Sequence, residues 1–316
     1  MSTAICLIVY SLAVLLAGPP LMFALTREGH APRLGVAAWL VAIGTVLLTW
    51  LAAAGIVTVE LAGHWEYPGI VVASCLAALR GVVADSAGSA LHIASAVVIA
   101  ATALLAMLAS GRLARTVSRM RARAHQHAEA VRLVGHPTVD PQVVVLEAAE
   151  PAAYCVSGRP PAIVVTSAAL AALDTRELAA VLAHERAHLT GRHSLLVTTL
   201  HSLAAALPKL GLIRQGATQV SRLLEMCADD AAIRQHGSGA LLSGLITLCR
   251  AAPAEALGAA DVAVLARAER LAVSPADSQI ACIRAALISA VAAMVAGPFV
   301  IAALANSGAL MCGMYR

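Results

Sequence analysis

Charge and aromatic rings are both scarce in this chain. Only 13 % of its 316 residues are Asp, Glu, Lys or Arg and 3 % are Phe, Trp or Tyr, while 60 % are apolar. A soluble domain carries about a quarter charged residues and about half apolar ones. That contrast excludes a fully soluble globular protein and equally excludes a disordered chain. Lysine is almost missing: Lys209 stands alone against twenty-one arginines. The formal net charge is only +4, too small to imply direct nucleic-acid binding. The seven cysteines (Cys6, Cys75, Cys155, Cys227, Cys249, Cys282, Cys312) show no CxxC pair. Their odd number and wide spacing argue against a disulfide framework or a cysteine zinc site, so they read as small apolar fillers.

What is present instead is a set of long uncharged runs. Met1–Thr26, Leu34–Val59, Ser86–Gly111 and Ala285–Tyr315 each hold enough apolar residues for a membrane span, which takes roughly 20 residues across about 30 Å of hydrocarbon. The first run has no basic amino-terminal region and no evident cleavage pattern, so it reads as a span, bent at Pro19 and Pro20, and not as a signal peptide. Tyr67–Leu79 is too short to span and is expected to be an interfacial helix. Arginines set the sidedness. Arg27 and Arg33 lie in the first connection, and Arg112, Arg115, Arg119, Arg121, Arg123 and Arg132 follow the third run. The second connection carries Glu60, Glu66 and Asp85 against Arg80 alone. The expected layout is a membrane domain over 1–111, with spans at about 3–25, 35–58 and 88–110 and an outer loop. A cytoplasmic domain follows over 112–284, and 285–316 form a fourth span with a short outer tail. The chain is thus expected to be a mainly α, multi-pass plasma-membrane protein with an α+β cytoplasmic domain between helices three and four.

Arg112–Val134 reads as a basic helix leaving the membrane, its arginines at anionic headgroups. His125 and His127 on it are two apart, on different sides, and do not suggest a metal pair. Three β-rich runs follow, Val143–Leu146, Ala153–Val156 and Ala162–Thr166, with a Gly158–Pro161 turn between the last two. Asp174 with Glu177 makes a capping-box pattern that opens a helix to about Thr190, where Gly191 is placed to stop it.

That helix carries His184-Glu185-Arg186-Ala187-His188, an HExxH pattern. Histidines four apart share a helical face and can bind one zinc, and Glu185 between them can take a proton from water that the metal activates. A catalytic zinc needs a third protein ligand. The extended pattern with a third histidine fails, because Ser194 occupies its position and His193 comes one residue early. The better candidate is Glu225, on a helical stretch Val220–Arg234, with Asp229 one turn on. Asp229 can accept from a histidine N–H behind the ligands, or pair with an arginine. His193 is a supporting or merely local residue. Arg222 can orient the ligand or a substrate carboxylate, or make an ordinary helix ion pair, and Asp230 points to the surface. His193–Pro208 is apolar and uncharged. As a fifth span it would separate Glu225 from His184, so a buried or membrane-skimming helix returning to the same side is expected.

With HERAHLTGRH, the upstream AYCVSGRPPAIVVTSAALAALDTRELAAVLAHE and the downstream RLLEMCADDAA in view, the chain resembles integral-membrane zinc metallopeptidases of the BlaR/MecR antirepressor type, relatives of the HtpX-type and CAAX prenyl proteases. The resemblance covers nearly the whole chain and is strongest from about 153 to 232. It implies a Zn2+ endopeptidase with His184, His188 and Glu225 as ligands and Glu185 as base. It also implies a cytosolic winged-helix repressor as substrate and, in some relatives, self-cleavage. The beta-lactam-sensing members continue beyond the fourth helix, whereas this sequence stops at Arg316, and Ala206 precedes Lys209 where SxxK would need serine. Direct beta-lactam sensing is therefore not expected. The motif fits a quality-control protease for membrane proteins equally well, and a non-enzymatic membrane sensor with a structural zinc site is the third reading.

Overall fold

The structure, a computed structural model, describes residues 2–63, 88–250, 267–271 and 276–307. The expected interfacial helix at Tyr67–Leu79, the outer loop and the tail around Met314 lie outside the described residues. Two apolar helices open the chain, α1 (Ser2–Thr26) and α2 (Pro32–Gly63), and α1 runs unbroken through Pro19 and Pro20. A 47-residue helix, α3 (Gly88–Val134), follows. At 1.5 Å per residue it is about 70 Å long. It joins the apolar stretch 88–110 directly to the basic stretch that was expected after it.

Among the described residues, three helices are long and apolar enough to cross a membrane: Thr3–Thr26, Pro32–Val59 and Asp277–Ala305. Their outward faces bear large apolar side chains such as Leu16, Leu48 and Phe299, as a hydrocarbon surrounding requires. The last lies within α9 (Asp277–Asn306), which begins several residues before the uncharged run because Asp277 and Arg284 join its first turns. The stretch 88–110 is helical, but most of its side chains lie outside the described residues.

A small sheet follows α3: β1 (His136–Pro137), β2 (Val143–Leu146), β3 (Ala153–Val156) and β4 (Ala162–Thr166), in the order β1-β2-β4-β3. β2 and β4 are parallel, with Val144 opposite Val164, and β3 runs antiparallel to β4, with Cys155 opposite Ile163. Alternation sends the two faces into two cores. Val144, Val156 and Val164 pack on Ala128 and Val131 of α3. Val143, Ile163 and Val165 pack toward Leu178, Val181 and Leu182 of the helix that carries the histidines.

The helical part comprises α4 (Ser167–Ala172), α5 (Thr175–Thr190), α6 (His193–Ala206), α7 (Gly211–His236) and α8 (Ser238–Arg250). The capping box at α5 is complete. Asp174 Oδ1 accepts from the Glu177 amide at 2.8 Å, and Glu177 Oε2 accepts from the Asp174 amide at 2.9 Å. Reciprocal capping of this kind satisfies amides the helix itself cannot.

α6 and α7 form a hairpin whose far end lies beside the membrane helices. Leu212 approaches Gly18 of α1, and Gly216 lies against Ile43 and Trp39 of α2. A Cβ at 216 would stand 2.8 Å from Ile43 Cδ1 and 3.2 Å from Trp39 Cε3. Small residues serve here because apolar side chains gain little from meeting each other in lipid, and close backbone approach supplies the attraction instead. Met22, Trp39, Leu212, Ile213, Leu223 and Leu287 are fully buried in this shared core. α6 packs against α3 and α7 and buries Leu200. The chain turns at residues 207–210, and α7 then packs its first half on α1 and α2 and runs on beside α5.

Candidate metal centre

The return of α7 decides the site. His184 and His188 project from one face of α5, and Glu225 of α7 faces them. Their ligand atoms lie within 4.8 Å of one another. Nε2 of His184 and Nε2 of His188 are 3.1 Å apart. Glu225 places Oε2 3.5 Å from the first and Oε1 3.4 Å from the second. A tetrahedral zinc with bonds of about 2.0–2.1 Å holds its donors about 3.3 Å from one another. Two imidazoles and a carboxylate at this spacing fit zinc, and they have the composition of a three-ligand catalytic site.

The electrostatics of these residues without metal fit the same role. Glu225 is opposed by burial, but its contacts with His184 and His188 hold its carboxyl well below the ordinary range. Burial opposes charge on His184, and the Asp229 and Glu225 carboxylates outweigh it, carrying the group up to about 9. The same carboxylates that favour a proton on this ring favour positive charge beside it.

Asp229, completely buried, lies behind the ligands. Its Oδ1 is 3.2 Å from His184 Nδ1, close but too poorly aligned for a full hydrogen bond. Arg267 grips the same carboxylate with two hydrogen bonds, Nε to Oδ2 at 2.9 Å and Nη2 to Oδ1 at 2.5 Å. Asp229 thus pairs with an arginine and lies beside the His184 ring. Arg267 Nη1 also lies 3.5 Å from Glu225 Oε2. Nothing near Arg267 in the sequence marks it, because its partners are 38 and 42 positions away and it belongs to no motif.

His193 stands behind the second ligand. Its Nδ1 is 2.9 Å from His188 Nδ1. Burial, then the neighbouring His188, lowers the His193 pKa to about 4, so the ring is neutral and can accept. Gly191 makes room for it, since a Cβ at 191 would overlap the His193 ring. Gly191 itself has φ −76°, and the left-handed residue that ends α5 is Arg192, at φ 51°.

Arg222 is placed away from the ligands. It donates to the Thr26 carbonyl at 2.7 Å, the Arg27 carbonyl at 2.8 Å and Gln219 Oε1 at 3.1 Å. These hydrogen bonds go to the end of α1 and to Gln219, not to Glu225. Arg222 fastens the end of α1 to α7, because the last carbonyls of a helix have no partner within it. Arg270 acts similarly, bonding the Gly29 carbonyl at 3.1 Å and Asp230 at 2.5 Å. Asp230 is therefore half-buried and paired.

Glu185, between the two histidines, faces the sheet. Burial pushes its carboxyl upward, and it contacts Cys155 of β3. The Cys155 thiol is pushed up to about 12 by burial first and by Glu185 second. Cys155 is inert as a nucleophile at that value but is part of the wall around the base, which its reading as a filler missed.

No solved structure matches this chain. Residues 110–265, the stretch that holds the small sheet, His184, Glu185 and His188 of α5, and Glu225 and Asp229 of α7, match the model of Peptidase family M48.

Proposed function

We propose that the protein is an integral-membrane zinc endopeptidase that cleaves a cytosolic winged-helix repressor as a step in signalling. The observation that carries the peptidase reading is the convergence of His184, His188 and Glu225 on one point, with Glu185 on the same helix as the two histidines. The resemblance to antirepressor peptidases supports the substrate class. Zinc bound by the three ligands supplies Lewis-acid activation of water and of the scissile carbonyl. The rest falls to the chain. Glu185 takes the proton of the attacking water on its carboxylate and delivers it to the departing amine nitrogen. Its upward shift brings its proton affinity nearer to neutral pH, where exchange in both directions is fastest. Asp229 and Arg267 hold the His184 side, and His193 holds His188.

The site faces the cytoplasm in this reading. Support comes from the α1–α2 connection, which carries Arg27 and Arg33 and is bonded to α7 through Arg222. The positively charged connection and the metal centre therefore share a side. The test is co-expression with a candidate winged-helix repressor, followed by mapping of new amino termini. Repressor cleavage in wild type and none in Glu185→Ala is the expected result. Unchanged cleavage in that variant sinks the reading.

One observation favours membrane proteins as substrates instead: the helix that carries Glu225 packs its first half on α1 and α2. Profiling cleaved proteins after depletion separates the readings, one or two cytosolic targets against many membrane ones. Self-cleavage would show as new termini within this chain.

A further inference from the structure

Beside the metal centre, and separate from it, a cavity of about 470 Å³ opens between α3, the turn after β3 and the start of α6. Arg121 and His125 line it from α3, Ser157 and Arg159 from the turn, and Arg192 and Ser194 from the α5–α6 junction. Three arginines thus line one cavity, with no carboxylate among its lining residues. Among the described residues, none of the three pairs with an acid, whereas Arg267 and Arg270 do. Like charges gathered without a counter-charge give the cavity a positive potential that favours an anion.

Two further features point the same way. Arg192 holds a left-handed backbone, φ 51° and ψ 37°, where glycine or asparagine is the easy choice. The strain sits at a residue whose side chain lines the cavity, as strain at binding sites does. The same residue begins α6 with no side-chain cap, leaving the first amides of that 14-residue helix to find another acceptor.

We propose that this cavity binds a phosphate group, as an anionic phospholipid headgroup or as soluble phosphate. Guanidinium forks and hydroxyls from several directions suit an anion with three or four oxygens. A carboxylate, with two, would leave donors unmatched. Met120 and Leu195 add apolar wall to the same cavity, which favours the lipid source. So does α3 itself, which runs without a break from the apolar stretch to Arg121. This inference does not depend on peptidase activity.

The test is the apparent melting temperature of the detergent-purified full chain, titrated with short-chain phosphatidylglycerol, phosphatidylcholine of the same chain length, or inorganic phosphate. A ligand that binds the folded state raises this temperature saturably. Phosphatidylglycerol is expected to do so and phosphatidylcholine is not. Saturation by inorganic phosphate at similar concentration assigns the site to soluble phosphate, and its failure assigns the site to the headgroup. Arg121→Gln with Arg159→Gln, and separately Arg192→Asn, should each raise the half-saturating concentration roughly tenfold or more, the loss of at least one charge-assisted hydrogen bond. Asparagine tolerates the left-handed backbone and caps helices, so Arg192→Asn should melt no lower than wild type without ligand. That keeps a binding loss distinct from misfolding. No saturable shift with either phosphate probe overturns the proposal. So does a shift that survives both sets of substitutions, or one given only by an acidic peptide.

Discussion

His193 Nδ1 lies 2.9 Å from Nδ1 of His188, so the nitrogen of the ligand that faces away from the metal is held by a second imidazole. His188 donates from Nδ1 when Nε2 is free to bind metal, and His193, kept neutral by burial, accepts. Such a partner fixes both the tautomer and the ring orientation of a ligand. His193→Ala should therefore weaken zinc binding by about 10–100-fold, measured by competition with a chromogenic chelator. Gly191→Ala, which displaces the His193 ring, should weaken it in the same direction. Unchanged affinity in both variants would leave His193 a local residue only.

Metal content separates ligand from base. Wild-type protein should carry about one zinc per chain. His184→Ala, His188→Ala and Glu225→Ala should lose it, as seen by elemental analysis after dialysis. Glu185→Gln should keep its zinc and lose peptide hydrolysis by about 10²–10⁴-fold. Zinc retained in Glu225→Ala would remove α7 from the ligand set.

Asp229 has no exposed surface and its charge is held by Arg267. Removing one partner of a buried pair leaves the other uncompensated, at about 3–5 kcal/mol. Arg267→Met should lower the chemical-denaturation midpoint accordingly. The double variant Arg267→Met with Asp229→Asn should recover part of the loss, because the unpaired charge is gone. A single variant as stable as wild type would show that the pair does not form.

Arg222 offers the opposite pattern. Arg222→Ala cuts the bonds to the Thr26 and Arg27 carbonyls. Charge-assisted hydrogen bonds are worth about 1.5–3 kcal/mol, so the melting temperature should fall. Zinc content should stay at the wild-type level, since Arg222 touches no ligand. Zinc lost together with stability would return Arg222 to the ligand environment.

Gly216 tests the membrane hairpin. Gly216→Leu should push α7 from Trp39 and Ile43 and lower the yield of folded protein, and with it the zinc content, because Glu225 rides on the same helix. Gly237→Leu sits where no atom lies within 4 Å of an added Cβ, and it tests instead the positive φ of 83° at that residue. It should destabilise the end of α7 without disturbing α2 contacts, as read by cysteine cross-linking between α2 and α7.

Local spacing was enough for much of this protein. Two histidines four apart lie on one helical face whatever surrounds them, because the α-helix repeats every 3.6 residues. The Asp174–Glu177 cap, the three main strands and three apolar helices were legible for the same reason: each depends on neighbours within a few residues. Glu225 and Asp229 were legible as a pair on one face, but a helix says nothing of what it faces. Tertiary packing supplied that, by seating the first half of α7 on α1 and α2 and its second half beside α5. It also decided what spacing could not touch. Arg222 went to the carbonyls that end α1, Arg267 to a carboxylate 38 positions earlier, and Cys155 to the side of Glu185. Periodicity places a side chain on its own element. Only the closure of long loops places it against another, and that closure depends on the whole apolar core that carries the elements together.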